Sequence, residues 1–124
     1  MGSSVDVVIP IYKAGNDFAS MLEKLYKQSK RPEHIYLLQT IEKKDEKLFD
    51  IKKCSKELAD IISVHTIKKA DFDHGATRAY GALMAESDYV LFMTQDAVCY
   101  DEYVIENLLK AFDVFVFPSL GEGL

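Results

Sequence analysis

The 124-residue sequence has no tryptophan, only two cysteines and no apolar run that approaches the length of a membrane span. Cys54 and Cys99 form neither a C-x-x-C pair nor a spacing typical of metal ligands, so they do not indicate a metal site. Two such thiols fit a reducing, cytoplasmic compartment. We therefore expect both to be small core residues rather than partners in a disulfide.

The sequence also lacks an excess of positive charge. Its 15 lysines and arginines are outnumbered by 20 aspartates and glutamates, which gives a formal net charge of -5 at pH 7. This balance argues against nucleic acid as the main partner. The short lysine pairs are separated by acidic residues, and we interpret them as solvated surface: Lys43-Lys44, Lys52-Lys53 and Lys68-Lys69.

We expect no secretory leader at the start of the chain, because the first apolar run, Val5 to Tyr12, is too short and has no basic residues before it. Residues 1–4, Met-Gly-Ser-Ser, resemble an expression leader, and we expect the fold to begin at Val5. The remaining chain has the length of one domain, and a hydrophobic content of 48% is enough to fill its core.

Strand-like and helix-like patterns alternate along the chain. Short apolar runs predict strands at Val5–Ile11, His34–Gln39, Ile61–Val64, Tyr89–Met93 and Val114–Phe117. Apolar residues at helical spacing predict helices at about 18–26, 45–59, 75–85 and 101–112. This order implies a three-layer α/β/α fold with a mainly parallel, Rossmann-like sheet. The runs at Val5–Ile11 and Tyr89–Met93 are uninterrupted, so we expect these two strands to be adjacent in the sheet centre.

Polar clusters follow three of the predicted strands, at the edge where an open α/β sheet binds ligands. They are Tyr12-Lys13, Gln39 to Glu42 and Thr94-Gln95-Asp96. One carboxylate holds a divalent cation poorly, but Asp96 would need to supply only one ligand if a diphosphate supplied others. The alternative is that Asp96 caps a turn or helix through its own backbone. Asp101 competes for the cap of the next helix, which favours the functional interpretation of Asp96.

A second cluster extends from Asp71 to Arg78, at the start of a predicted helix. Gly75 would let the backbone approach a ligand closely. Arg78 could reach a phosphate in bidentate fashion. The alternative, which the spacing alone favours, is a surface arginine paired with Asp73 or Glu86. His74 could be a ligand, but a single histidine in a loop is more often structural. The sequence has no phosphate-binding P-loop, no G-x-G-x-x-G and no recognisable Ser/His/Asp or Cys/His arrangement.

Two longer stretches resemble one family. "VDVVIPIYKAG" resembles the opening pattern V-x-V-V-I-P-x-Y-N of the inverting GT-A glycosyltransferases of family 2. "DHGATRAYGALMAESDYVLFMTQDA" resembles their later block, in which a glycine and A-R-N-x-G precede a strand that ends in D-x-D. The T-Q-D-A variant and the preceding F-D-H-G resemble the bacterial rhamnosyltransferase branch. The resemblance covers residues 5–112 and implies the nucleotide-binding, N-terminal part of a GT-A domain.

The resemblance implies roles for individual residues. Pro10 and Tyr12 would shape the nucleobase pocket, and Arg78 would lie near the diphosphate. Asp96 matches the last acid of D-x-D, the ligand of Mg²⁺ or Mn²⁺, whereas Thr94 replaces the first acid. Lys13 replaces the usual asparagine. Glu42 is a candidate substitute for the family's acidic pair after the second strand, so the implied nucleotide-binding set is Pro10, Tyr12, Glu42, Gly75, Arg78, Thr94 and Gln95.

The implied activity is transfer of a sugar, rhamnose in particular, from a dTDP- or UDP-linked donor to a hydroxyl of a saccharide or lipid-linked acceptor. Family members continue past this point with the acceptor site and a carboxylate base. We therefore expect no catalytic residue within these 124 residues, weak nucleotide binding and little or no turnover. For the parent enzyme, peripheral attachment to the inner face of a membrane stays open beside a cytoplasmic location.

The C-terminal stretch, "FDVFVFPSLGEGL", departs from the family pattern. It resembles a short segment of retaining GT-B enzymes, in which a glutamate supports the nucleotide sugar. A fusion, an engineered chimera and a coincidence of strand composition all stay open, and we favour a simple closing strand within residues 113–124.

Two rival functions compete with a glycosyltransferase. A catalytically inert α/β binding or structural module would retain the fold without the ligand site. A receiver-type signalling domain would need an acidic pair after the first strand, and Pro10-Ile11-Tyr12 is not such a pair. We therefore rank the receiver domain below the inert module.

Overall fold

The computed structural model describes residues 4–71, 73–97 and 99–111. Its strands are β1 (Val5–Ile11), β2 (His34–Ile41), β3 (Ile62–Lys68) and β4 (Tyr89–Phe92). Its α-helices are α1 (Phe18–Tyr26), α2 (Lys56–Ala59), α3 (His74–Met84) and α4 (Val104–Ala111). Single turns of 3₁₀ helix occupy Ile51–Lys53 and Lys69–Asp71. In this part of the chain no helix is long and apolar enough to cross a membrane.

The four described strands form one parallel sheet in the order β3-β2-β1-β4. Val8 of β1 lies between Tyr36 of β2 and Phe92 of β4. The predicted adjacency of the first and fourth strands is therefore confirmed. The predicted central position of β4 is wrong for the described residues, because only β1 flanks it and its side chains are half-buried.

Side chains of β1 alternate between two apolar layers, as the pleat of a strand requires. Val7 and Ile9 belong to the larger layer, which contains apolar side chains of α1, α2 and α4. Val8 belongs to the smaller layer on the other face, where Met84 of α3 packs. Helices therefore cover both faces of the sheet, which confirms the predicted three-layer architecture.

Asp6, in the otherwise apolar strand β1, has a fully buried carboxylate. It accepts hydrogen bonds from the backbone of Glu86 (2.8 Å) and from both the backbone (3.1 Å) and the hydroxyl (2.7 Å) of Ser87. The two backbone N–H groups donate to one carboxylate oxygen, and the Ser87 hydroxyl donates to the other, which also lies 3.0 Å from Nδ1 of His34. Since these groups belong to the loop between α3 and β4 and to the start of β2, Asp6 fastens the amino edge of the sheet.

The helix predicted for residues 45–59 is wrong for most of its length. Only Lys56–Ala59 is α-helical, and Leu48, an apolar residue of the segment, is 42% exposed. The cause is Gln39, whose buried side chain donates to the carbonyl of Lys47 (3.2 Å) and accepts from the backbone of Phe49 (2.8 Å). A side chain that takes these backbone groups competes with the helical hydrogen bonds they would otherwise form.

Other element boundaries shift by a few residues. Strands β2 and β3 extend to Ile41 and Lys68, past the predicted ends, and β4 ends one residue early. Helix α3 begins at His74 because the Asp73 side chain accepts a hydrogen bond from the backbone of Ala76 (2.9 Å), a standard N-cap. The predicted fifth strand lies outside the described residues.

Both cysteines are free thiols, and burial raises the pKa of each. Cys99 is buried in the larger apolar layer, which confirms its prediction as a core residue. Cys54 is half-buried at the margin of that layer. Ser4, assigned to the leader, exchanges hydrogen bonds with Asp88 and accepts one from the backbone of Tyr89 at the start of β4.

Candidate functional site

A pocket of about 560 Å³ opens at the carboxyl edge of the sheet, on the side covered by α3. It lies where open α/β sheets bind ligands. Its walls come from the exits of β1 and β4, the ends of β2 and β3, and the first turns of α3: Pro10, Ile11, Tyr12, Thr40, Lys69, Thr77, Arg78, Phe92, Met93, Thr94, Gln95 and Asp96. The structure thus brings together six of the eight residues assigned to the site, although they span most of the described chain.

The loop after β1 contributes Pro10 and Tyr12. The pairing of β1 with β4 ends at Val8, and Pro10 beyond it has no backbone N–H to donate. The backbone N–H of Tyr12 donates instead to the side-chain oxygen of Gln95, at 2.6 Å. Lys13 follows with a φ of 51°, in the left-handed region that favours glycine and asparagine. The asparagine that the family has at this position fits that backbone better than the lysine found here.

Charged side chains surround the ring of Tyr12. Its hydroxyl donates to the carboxylate of Glu42, and the ammonium of Lys69 lies 3.0 Å from that carboxylate and 3.3 Å from the hydroxyl. Lys13 lies 3.4 Å from the other carboxylate oxygen of Glu42. The hydrogen bonds from Tyr12, Lys69 and Lys13 lower the pKa of Glu42 to about 2. Glu42 in turn raises the pKa of both lysines.

The sequence did not single out Lys69, which was interpreted as part of a solvated pair. Its side chain is largely exposed, but it also lines the pocket and contacts two predicted site residues, Tyr12 and Glu42. The available signal was its position, since it directly follows β3 at the carboxyl edge. The same edge rule that selected Tyr12 and Asp96 would have selected it.

Arg78 lies in the second turn of α3 and is exposed toward the pocket. Its guanidinium lies 6.0 Å from the centre of the Phe92 ring. The alternative pairings are not found: within residues 4–71, 73–97 and 99–111 no carboxylate forms an ion pair with Arg78. Asp73 is engaged in capping α3. Arg78 therefore presents a full positive charge to a ligand in the pocket.

Asp96 lies in a tight turn closed by a hydrogen bond from the backbone of Ala97 to the carbonyl of Thr94 (3.1 Å). Its carboxylate is exposed and borders a second cavity of about 620 Å³ on the α1 side. No described residue donates a hydrogen bond to it, so the capping alternative finds no support in that part of the chain. Asp101 has a capping role instead, accepting from the backbone of Tyr103 (2.8 Å) just before α4.

Asp96 suits a divalent cation only if other groups supply the remaining ligands. The described residues contain no group of three or more histidine, cysteine, aspartate or glutamate side chains that could hold a metal ion. Among the described residues, Asp96 is the only carboxylate in the wall of the 560 Å³ pocket. Since Mg²⁺ commonly takes one or two carboxylates together with substrate phosphates and water, this wall suits an ion shared with a diphosphate.

Two predicted site residues lie outside the pocket wall. Gly75 is exposed. Among the described residues a Cβ added there would meet only the Asp73 carboxylate, at 3.5 Å, so none of them requires glycine at this position. Glu42 contacts the pocket through Tyr12 rather than lining it. The ligand-binding roles of all eight residues stay predictions, which the experiments below address.

Comparison with known sequences places most of the chain in one family. The sequence model of glycosyl transferase family 2 matches residues 6–115. The O-antigen chain rhamnosyltransferase RfbN of Salmonella typhimurium is 30% identical over 122 residues, which cover 97% of this chain and 37% of the relative. The O-antigen chain rhamnosyltransferase WbaN of Salmonella anatum is 26% identical over 117 residues, covering 89% of this chain and 33% of the relative. The chain thus spans about a third of the length of these relatives.

Comparison with solved structures supports the fold. Two structures of S. aureus TarS superpose on 90% of this chain, with TM-scores of 0.58 and 0.59 and sequence identities of 15% and 16%. The match covers 20% of the longer TarS chain and 32% of the chain that contains residues 1–349. At this level of identity the likeness concerns the fold, which is the Rossmann-like GT-A type predicted from the sequence.

Proposed function

The chain belongs to glycosyl transferase family 2, and we propose that it forms the donor-binding part of a glycosyltransferase that uses a nucleotide-activated sugar. The observation that carries this proposal is the convergence of Tyr12, Arg78 and Asp96 on one pocket at the carboxyl edge. An aromatic ring, a guanidinium and a carboxylate are the groups that a base, a diphosphate and a shared cation require.

Each group has a separate task in this proposal. The ring of Tyr12, with Pro10 beside it, forms the wall against which the base rests. Arg78 offers a planar fork of donors to the diphosphate. Asp96 supplies one oxygen ligand to a divalent cation, which family members generally use. Thr94 and Gln95 complete the wall next to the sugar, and Gln95 also holds the loop of Tyr12 in place.

Sugar transfer breaks the bond between the anomeric carbon and the nucleoside diphosphate, and negative charge develops on the departing diphosphate. A bound cation would neutralise part of that charge. Arg78 acts on the same charge, and a donor placed where charge develops lowers the barrier more than one that binds only the ground state. We assign an inverting reaction by resemblance. We assign no catalytic base to the described residues, since Asp96 is the only carboxylate that they contribute to the pocket wall.

The donor and acceptor are proposed from the relatives. Both curated relatives are named as O-antigen chain rhamnosyltransferases, so we propose a dTDP- or UDP-linked donor, rhamnosyl transfer in particular, and a saccharide or lipid-linked acceptor. The chain spans 37% and 33% of these relatives, and the acceptor site belongs to the whole enzyme. Two free thiols agree with a location on the cytoplasmic side.

Isothermal titration with UDP and with dTDP, in the presence of Mn²⁺, tests the proposal. Arg78→Ala should weaken binding by about 10- to 150-fold, the usual effect of losing a hydrogen bond to a charged group. Arg31→Ala is the matched control, because Arg31 is engaged with Tyr26 at the end of α1 and lies outside the pocket. Equal losses in the two variants, or no binding by the folded wild type, would contradict the proposal and favour an inert α/β module.

A further inference from the structure

Side chains that follow the first three strands of the sheet all approach the ring of Tyr12. Lys13 follows β1, Glu42 follows β2 and Lys69 follows β3, and all three side chains reach Tyr12. The ammonium groups of Lys13 and Lys69 lie 5.4 Å and 5.2 Å from the centre of the ring. Both distances are within the range of cation–π attraction.

From this arrangement we infer that Lys69 is a positioning residue, which acts with Glu42 to hold the Tyr12 ring against the pocket. The positioning itself concerns the ligand-free protein. Its consequence for nucleotide binding rests on the proposed function above. The inference assigns a role to a lysine that has no place in the family motifs from which the site was predicted.

Glu42 is the centre of this network because each of its carboxylate oxygens is engaged. One oxygen accepts from the Tyr12 hydroxyl and from Lys69 at 3.0 Å, and the other lies 3.4 Å from Lys13. A carboxylate held by two cations is itself fixed, and it then fixes the phenol that donates to it. Hydrogen bonds with an ionised partner are shorter and stronger than neutral ones, so the ring gains a preferred orientation.

Lys69 contributes more to this geometry than Lys13 does. Its ammonium contacts both the Glu42 carboxylate (3.0 Å) and the Tyr12 hydroxyl (3.3 Å), so it closes a triangle with them. The ammonium of Lys13 lies 3.4 Å from the other carboxylate oxygen and 5.4 Å from the centre of the Tyr12 ring. Lys69 also lines the pocket, whereas Lys13 does not. The consequence is a tyrosine ring that is ordered before a base arrives, which reduces the ordering cost of binding.

The test compares Lys69→Met with Lys68→Met, which removes the adjacent lysine at the end of β3 and leaves the Tyr12 contacts intact. Lys69→Arg is the conservative variant that can restore the ion pair with Glu42. The first readout is the NMR signal of the Tyr12 ring without ligand, assigned by its loss in Tyr12→Phe. The second readout is UDP affinity by titration calorimetry with Mn²⁺. Thermal unfolding verifies that each variant is folded.

We expect Lys69→Met to shift the Tyr12 ring signal and to weaken UDP binding about two- to fivefold, the range for one exposed ion pair. Lys68→Met should change neither, and Lys69→Arg should return the ring signal toward that of the wild type. An unchanged ring signal in Lys69→Met, or the same shift in Lys68→Met, would overturn the inference. If the wild type binds no UDP, the proposed function fails, and the ring signal still decides whether Lys69 positions Tyr12.

Discussion

The side-chain oxygen of Gln95 accepts a hydrogen bond from the backbone N–H of Tyr12 at 2.6 Å, across 83 positions of sequence. The two residues follow β4 and β1, which are parallel neighbours in the sheet, and both line the same pocket. The Gln95 side chain therefore fixes the distance between two loops. The loop of Tyr12 would contact the nucleobase, and the loop of Asp96 would contact the cation.

Replacing Gln95 by methionine keeps the volume of the side chain and removes this link. We expect a loss of about 0.5–1.5 kcal/mol in the free energy of unfolding, the usual net value of one hydrogen bond. UDP affinity should fall as well, because the two loops are no longer held in register. Urea unfolding and calorimetry measure the two effects, with Asn107→Met on the exposed side of α4 as control. A Gln95→Met protein with the stability and the affinity of the wild type would show that the loops hold each other by other means.

Gly81 and Gly75 lie in the same helix and predict opposite responses to alanine. A Cβ at Gly81 would lie 2.6 Å from a methyl group of Val8, which is fully buried in β1 and cannot move away. Gly81→Ala should therefore destabilise the protein by about 1–2 kcal/mol through overpacking, in spite of the better helix propensity of alanine. Gly75→Ala should be neutral or slightly stabilising. Equal stability of the two variants in urea unfolding would contradict the close packing of α3 on β1.

Asp6 should be the most sensitive polar residue of the described core. Asp6→Ala leaves the part-buried donors of Glu86 and Ser87 without a partner, and we expect a loss of about 2–4 kcal/mol. Asp60→Ala, at the exposed end of α2, is the control and should cost far less. Similar losses in the two variants would mean that water satisfies the Asp6 partners and that the carboxylate does not fasten this edge.

The lowered pKa of Glu42 predicts that the stability of the folded state falls at low pH. Its pKa is lowered from 4.5 to about 2 by Tyr12, Lys69 and Lys13, so the network stabilises the folded state fully above pH 4.5. This contribution declines as the pH falls from 4.5 and is lost once it passes the folded-state value near 2. Carbon NMR of the Glu42 carboxyl should give a midpoint far below 4.5 in the wild type and a higher midpoint in Lys69→Met. A wild-type midpoint near 4.5 would contradict the network.

Local patterns predicted the parts of the fold that local interactions decide. The β-branched run from Val5 to Ile11 predicted the bounds of β1, and the helical spacing from Phe18 to Tyr26 predicted those of α1. The helix predicted for residues 45–59 failed because the buried Gln39, outside that segment, takes its backbone groups. No periodicity within the segment can reveal a competitor that lies elsewhere in the chain.

The candidate site was predictable to the extent that it follows from topology. Polar residues after parallel strands must meet at one edge, so Tyr12 and Asp96 could be expected together. The contacts that join the edge could not be predicted, because the Gln95 bond to Tyr12 and the Lys69 contact with Glu42 depend on side-chain directions in loops. The apolar pattern of β1 likewise did not predict that the Asp6 carboxylate is buried.

The most direct test of a cation-assisted nucleotide site is a calorimetric titration of UDP into the wild type and Asp96→Asn, each with Mn²⁺ and with chelator. Asparagine keeps the shape of the side chain and removes its charge, and Asp60→Asn at the opposite edge of the sheet is the control. We predict that chelation weakens wild-type binding by about 10- to 150-fold, the effect of one charge-assisted contact, and leaves Asp96→Asn unchanged at the weaker affinity. Equal affinity in all four conditions would contradict the account and reduce Asp96 to a residue of the turn.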